Sequence, residues 1–229
     1  MKNFFLSIII LIFSFNSTLI HSHIGHYTNI NYLEYELFRN DKLIGYHTYN
    51  FKRKGDLLRI ESEVEFKITK LGVDLYRYQA SSTEEYIGNK FTKFSSTTNQ
   101  NNKEKYVNIS LNELKDGLII DGSSYKGPAS VESIVGTWWN HEIIGSLAQI
   151  SAISGRIIDQ KVTFKGKEEI NLEGKTFNTL HYNFSSSDPN LPENKRLNTD
   201  IWYEEKTNLW VKAAFNKRGQ WEYRLKNYK

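Results

Sequence analysis

Hydrophobic and polar side chains alternate along most of the chain after residue 32. In residues 58–68, Leu58, Ile60 and Phe66 occupy even positions, while every odd position from 59 to 67 carries Arg, Glu or Lys. A period of two with one apolar side indicates an antiparallel strand that buries one face. A parallel sheet covered on both faces would instead show continuous apolar runs.

The same alternation, interrupted by turn residues such as Gly88-Asn89 and Asp116-Gly117, predicts about thirteen strands. Many short strands separated by turns indicate an all-β fold, either a half-open barrel or a strongly curved antiparallel sheet. The predicted strands cover residues 32–38, 43–53, 58–68, 73–87, 91–99, 105–112, 117–121, 156–165, 167–173, 176–185, 199–205, 209–216 and 220–227.

Residues 129–154 depart from this pattern and are predicted to form a short helical insert in the β domain. Apolar side chains at i, i+3, i+4 and i+7 are typical of one helix face. A second short helical turn is indicated by Leu147, Ile150 and Ile153. The first predicted face consists of Val131, Ile134, Val135 and Trp138.

The first 22 residues have the pattern of a signal peptide. Lys2 precedes an almost unbroken apolar run over residues 4–15, followed by polar residues and Ser22. The run is shorter than the roughly 20 residues that a membrane-spanning helix needs. We therefore expect cleavage after Ser22 and a single β domain over residues 23–229, with an uncleaved anchor as the alternative. The chain has no cysteine and therefore no disulfide framework. Because secreted animal proteins of this size commonly use disulfides, a bacterial periplasm is the expected compartment.

The charge pattern argues against nucleic-acid binding. The 30 Lys and Arg residues only slightly outnumber the 26 Asp and Glu residues, and the two signs are interleaved. A nucleic-acid interface needs a concentrated basic surface. Weak peripheral contact with anionic lipids stays open.

Trp138-Trp139-Asn140-His141-Glu142 is the best candidate for a binding site. Two indoles with a few polar groups are typical of a pocket mouth, so Trp138, Trp139 and His141 are the predicted ligand-binding residues. In the alternative, one Trp closes the end of the sheet as core while His141 and Glu142 face water.

The acidic pairs are weaker candidates for chemistry. Glu84 and Glu85 are neighbours on a predicted strand, so their side chains point to opposite faces. An inward Glu with a raised pKa would act as an acid. The alternative places one carboxylate outside and pairs the other within the protein. The pairs Glu168-Glu169 and Glu204-Glu205 have the same two interpretations.

No metal, cofactor or catalytic residue is predicted. His47 and His181 stand alone on separate strands, and neither a zinc-binding H-E-x-x-H nor a nucleophile G-x-S-x-G occurs. Cleavage after Ser22 would expose His23 as an N-terminal residue with His26 nearby, a pattern that can bind copper; a frayed tail is the alternative.

Several motifs along the chain suggest a known family. They are Tyr35–Phe38, Asp41–His47, Tyr78, Glu84–Tyr86, Thr137–Asn140, Ile201–Tyr203, Leu209–Val211 and Trp221–Leu225. Together they resemble a family of exported bacterial proteins classed as a domain of unknown function, and the resemblance covers nearly the whole chain after the predicted signal peptide. The resemblance implies a large curved antiparallel sheet, loosely similar to periplasmic lipoprotein carriers, and the family has no assigned activity to carry over.

Three functions follow as expectations. The first is a non-enzymatic periplasmic protein that binds an apolar or amphipathic molecule, such as an envelope lipid, in the concave face of the sheet. The second is a structural or interaction module with a filled core. The third is a hydrolase or isomerase, which requires a Glu and a His within hydrogen-bond reach in one pocket. Small side chains in the centre would favour binding, and packed aromatic rings would favour the structural module.

Overall fold

The computed structural model describes residues 27–229. The predicted signal peptide and the candidate copper-binding segment His23–His26 lie outside these residues. The strands are β1 (Tyr32–Arg39), β2 (Lys42–Lys54), β3 (Leu57–Lys70), β4 (Val73–Ile87), β5 (Lys90–Gln100), β6 (Lys103–Leu111), β7 (Gly117–Gly122), β8 (Lys126–Ser130), β9 (Ile134–Val135), β10 (Ala148–Ile150), β11 (Ile157–Leu172), β12 (Lys175–Ser186), β13 (Asn198–Glu204), β14 (Trp210–Asn216) and β15 (Gln220–Tyr228). Two short 3-10 helices, His141–Gly145 and Glu193–Lys195, complete the described elements.

The predicted all-β fold is confirmed. All fifteen strands form one sheet in the order β8-β7-β6-β5-β4-β3-β2-β1-β15-β14-β13-β12-β11-β10-β9. Every pair is antiparallel except β9 with β10. The two strands predicted at 156–165 and 167–173 are one strand, β11, because Gly166 forms a bulge at φ 137° rather than a turn.

The sheet curls until its two edges approach each other, but it does not close. Its edge strands β8 and β9 are separated only by residues 131–133, which span at most about 14 Å. No strand pairing joins β8 to β9 within residues 27–229. In the middle of the sheet, β1 pairs with β15, and Lys229 exchanges backbone hydrogen bonds with Asn31 and Tyr32.

The predicted helix over residues 131–138 is wrong. Ile134 and Val135 form β9, which pairs with Gln149 and Ile150 of β10. Trp138 has φ +59°, a left-handed conformation that ends any regular element. The helical spacing is not a common buried face, because Val131 is exposed before β9 while Val135 of β9 is buried. The second predicted helical turn is also wrong, since residues 148–150 are β10. Within residues 129–154, helix is confined to the 3-10 helix His141–Gly145.

A close approach of β2 and β3 requires a glycine at position 45. The β1–β2 register shifts between Leu37 and Phe38, which makes a bulge beside Gly45. A Cβ at Gly45 would lie 2.0 Å from the Glu65 carbonyl oxygen and 2.5 Å from the Phe66 Cα. Both atoms belong to the backbone of β3, so only a shift of the strand would make room.

Aromatic rings fill the main core between the two halves of the sheet. Tyr35 stacks on Trp210 at 4.0 Å, and Trp139 makes edge contacts with Phe51 and Tyr86. All of these side chains are buried. Such ring pairs add packing energy beyond the area they bury. None of the helices among residues 27–229 is long and apolar enough to cross a membrane.

Candidate functional site

A cavity of about 210 Å³ lies between strands β2–β5 and the segment 136–153. Its lining contains no Asp, Glu, Lys or Arg, and the lining residues fall into three groups. The aromatic lining consists of His47, Tyr49, Tyr78, Trp138 and Tyr223; the small lining of Ser62, Ala80, Ser81, Ser82, Ser96, Gly136, Ser151 and Ala152; and the remainder of Val64, Thr98, Thr137, Gln149, Ile153 and Ile158.

The cavity exists because small inward side chains are in register on neighbouring strands. Ser62 of β3 pairs with Ser82 of β4, which pairs with Ser96 of β5. Side chains directly opposite each other in an antiparallel sheet lie about 5 Å apart, so this row of serines leaves space that larger residues would fill. Alternation alone did not reveal the row, because it classes serine as an outward polar residue; aligning the strand registers would have found it.

Hydrogen bonds from both halves of the sheet fix residues 137–139 over the cavity. The Tyr49 hydroxyl donates to the Thr137 carbonyl oxygen at 2.7 Å, and the Tyr203 hydroxyl donates to the Trp138 carbonyl oxygen at 2.9 Å. The Trp139 indole N–H donates to Glu84 Oε2 at 2.9 Å. These contacts hold Trp138 in its left-handed conformation.

Glu84 and Glu85 point to opposite faces, as the alternation predicts. Glu85 forms an exposed ion pair with Arg59 at 2.5 Å. Glu84 is buried and accepts hydrogen bonds from Trp139, from Thr137 Oγ1 at 3.4 Å and from the Tyr86 hydroxyl at 2.5 Å. Burial raises the pKa of Glu84 to about 7, although the hydrogen bonds oppose the shift. Glu84 therefore anchors the segment that carries the two tryptophans.

His47 and Ser62 form a hydrogen-bonded pair in the cavity wall. His47 Nε2 lies 2.8 Å from Ser62 Oγ. Burial lowers the pKa of His47 to about 3, so the ring is neutral at pH 7 and holds an added proton poorly. Its Nδ1 has no hydrogen-bond partner among residues 27–229, whereas a catalytic Ser–His pair has a carboxylate there. This pair is poorly suited to nucleophilic catalysis.

The three predicted binding residues do not converge on one pocket. Trp138 lines the cavity, whereas Trp139 lies in the aromatic core and is not among the lining residues. His141 begins the 3-10 helix, is half-buried and does not line the cavity. A ligand contact of Trp139 or His141 stays a prediction.

His181 contacts two acidic side chains but is not part of the cavity. Its Nδ1 lies 2.7 Å from Glu168 Oε1 and its Nε2 lies 3.0 Å from Asp200 Oδ1, while its ring stacks on Trp202. Within the described part of the chain, no group of three or more His, Asp or Glu side chains is arranged to hold a metal ion.

A broader depression of about 1020 Å³ borders the cavity along β2–β6. It has charged side chains of both signs, including Glu63, Glu65, Lys67 and Arg77. Among residues 27–229, one buried polar atom without a hydrogen-bond partner, that of Thr98, belongs to its lining, whereas three belong to the lining of the cavity. We therefore take the smaller cavity as the candidate site. The two spaces share Val64, Tyr78, Ala80, Ser81 and Thr98.

Comparison with known proteins identifies a family and a fold. Residues 35–226 match the model of a family described as a domain of unknown function, DUF6134. No curated protein matches the sequence. The structure is similar to the crystal structure of a beta-barrel-like protein of domain of unknown function DUF1849 from Brucella abortus. The TM-score is 0.62 at 10% identity, covering 87% of this chain and 97% of that one. At this identity the likeness concerns the fold alone.

Proposed function

This chain belongs to the family described as domain of unknown function DUF6134, and we propose that it is a non-enzymatic protein that binds an uncharged apolar or amphipathic molecule inside its curved sheet. The observation that carries the proposal is the uncharged cavity left by the serine row of β3–β5. Most of the core is filled with aromatic rings, so empty space bounded by small side chains is a local feature.

The volume of the cavity restricts its ligand. Pockets for drug-sized molecules measure about 300–1,000 Å³, and an apolar cavity of about 150 Å³ takes benzene. At about 210 Å³, this cavity suits one ring with a short substituent or the end of one acyl chain. A whole envelope lipid would leave most of its body outside the cavity.

Native mass spectrometry of the protein from its own host tests the proposal. We expect a bound molecule that organic extraction releases. Ala80→Leu adds bulk to the cavity wall and should abolish the bound mass, whereas Gln79→Leu adds a similar side chain at an exposed neighbouring position of β4 and should retain it. A wild-type protein without ligand, and without affinity for added apolar probes, would favour the structural module.

We also propose export to the periplasm, supported by the apolar run over residues 4–15 and the absence of cysteine. N-terminal sequencing of the protein from a periplasmic extract should give a chain that begins at His23. A chain that retains Met1 and stays with the cytoplasmic fraction would contradict export, and one that retains Met1 in the membrane fraction would indicate an anchor.

A further inference from the structure

Buried polar atoms without partners are concentrated at the cavity. Within residues 27–229, five side-chain nitrogen or oxygen atoms are buried without a hydrogen-bond partner. Three of them belong to the cavity-lining residues His47, Thr98 and Trp138. The Thr98 hydroxyl can rotate towards the neighbouring Tyr78 phenol, but the indole N–H and the imidazole nitrogen point in fixed directions.

The Trp138 indole N–H and His47 Nδ1 are the lining groups whose need for a partner and fixed direction restrict the ligand most. The Trp138 Nε1–H is a donor only, and leaving such a group buried and unpaired is unfavourable. His47 Nε2 contacts the Ser62 hydroxyl, which leaves Nδ1 free. If Nε2 accepts the Ser62 proton, Nδ1 carries the ring's hydrogen and becomes a second donor. Both groups are then unpaired hydrogen-bond donors, and an acceptor oxygen of a ligand would satisfy them.

The surroundings exclude an anion. The cavity lining contains no Lys or Arg to balance a carboxylate. The buried Glu84 has its Oε2 3.4 Å from Oγ1 of the lining residue Thr137, and whenever it is ionised it would repel a second negative charge. An ionised ligand would also lose its hydration without compensation.

We propose that the ligand is an uncharged molecule with a small apolar body and one carbonyl-type oxygen, and that this oxygen accepts a hydrogen bond from the indole N–H of Trp138 in the cavity that His47 also lines. This inference rests on the proposed function and specifies its ligand class. The aromatic lining contacts the apolar body, and the serine row gives it room.

The test compares acetophenone with ethylbenzene, which keeps the ring and the two-carbon substituent but has no oxygen. Binding of each to the ligand-free full-length protein is measured by calorimetry. We expect acetophenone to bind about 10-fold more tightly than ethylbenzene. Trp138→Phe keeps an aromatic ring and removes the donor, so it should abolish this preference. Trp221→Phe is the control, because that indole donates to the Lys217 carbonyl oxygen outside the cavity.

The outcomes separate the two proposals. If both probes bind with equal affinity to the wild-type protein, or if Trp138→Phe leaves the preference unchanged, the oxygen contact is overturned while the binding function stands. If neither probe binds to the wild-type protein, both proposals are overturned. The wild-type comparison needs no substitution, so it remains decisive even if Trp138→Phe does not fold.

Discussion

At the residue scale, Glu84 is a buried carboxyl that changes its charge near neutral pH. Its folded-state pKa of about 7 lies above its ordinary value of 4.5, because burial disfavours the carboxylate. Its contribution to stability is therefore complete below pH 4.5 and is lost as the pH rises towards 7. Glu84→Gln removes this dependence on pH. As the pH rises from 4.5 to 7, we therefore expect the unfolding free energy of the variant to increase by roughly 3 kcal/mol relative to that of the wild type.

Urea unfolding of both proteins across this pH range measures the gain. Glu85→Gln is the matched control, since its partner Arg59 is exposed and such surface pairs contribute less than about 1 kcal/mol. If the unfolding free energies of wild type and Glu84→Gln changed in parallel with pH, Glu84 would titrate in the folded protein as it does in the unfolded chain.

A second residue prediction compares two phenol hydrogen bonds of equal length. Tyr49 donates to the Thr137 carbonyl oxygen in the core, and Tyr125 donates to the Pro128 carbonyl oxygen near the surface, both at 2.7 Å. Tyr49→Phe leaves a buried carbonyl without its partner and should cost about 1–2 kcal/mol of unfolding free energy. Tyr125→Phe should cost less than about 0.5 kcal/mol, because water replaces the hydroxyl. Equal losses would mean that burial does not matter here.

At the element scale, alternation of apolar and polar residues was enough to predict twelve of the fifteen strands, but not β8 or the insert that contains β9 and β10. These strands were predictable because each has one solvent-exposed face and one buried face, as β3 does. Residues 134–139 were not, because their conformation depends on distant partners: Tyr49, Tyr203 and Glu84 bind them from both halves of the sheet. The cavity depends on the pairing of Ser62, Ser82 and Ser96, which no single strand reveals.

The bulge of β2 gives the element-scale prediction. Gly45→Ala would force the backbone of β3 to move, so we expect a loss of about 2 kcal/mol or more in unfolding free energy. Gly145→Ala is the control, because an added Cβ there meets no atom within 4 Å, and it should change stability by less than about 0.5 kcal/mol. Thermal and urea unfolding measure both. A neutral Gly45→Ala would show that the strands have more room than the structure indicates.

At the scale of the whole molecule, the sheet consists of two halves that meet at one distant ladder. Apart from the pairing of β1 with β15, strands β1–β8 pair only with strands near in sequence, and so do β9–β15. Only the β1–β15 ladder, such as Leu33 with Tyr228, joins the two ends of the described chain. Contacts between residues so distant in sequence slow folding, because a very long loop must close before they form.

The hydrogen bonds between Lys229 and residues 31–32 make the fold suited to circular permutation. Joining residue 229 to residue 27 through about six Gly and Ser residues, and opening the chain within the exposed link 131–133, keeps every strand pair. The β1–β15 ladder then becomes a local connection. We expect stopped-flow tryptophan fluorescence to show refolding at least about 10-fold faster than in the unpermuted chain over residues 27–229. An unchanged rate would place the slow step elsewhere than in the meeting of the two halves.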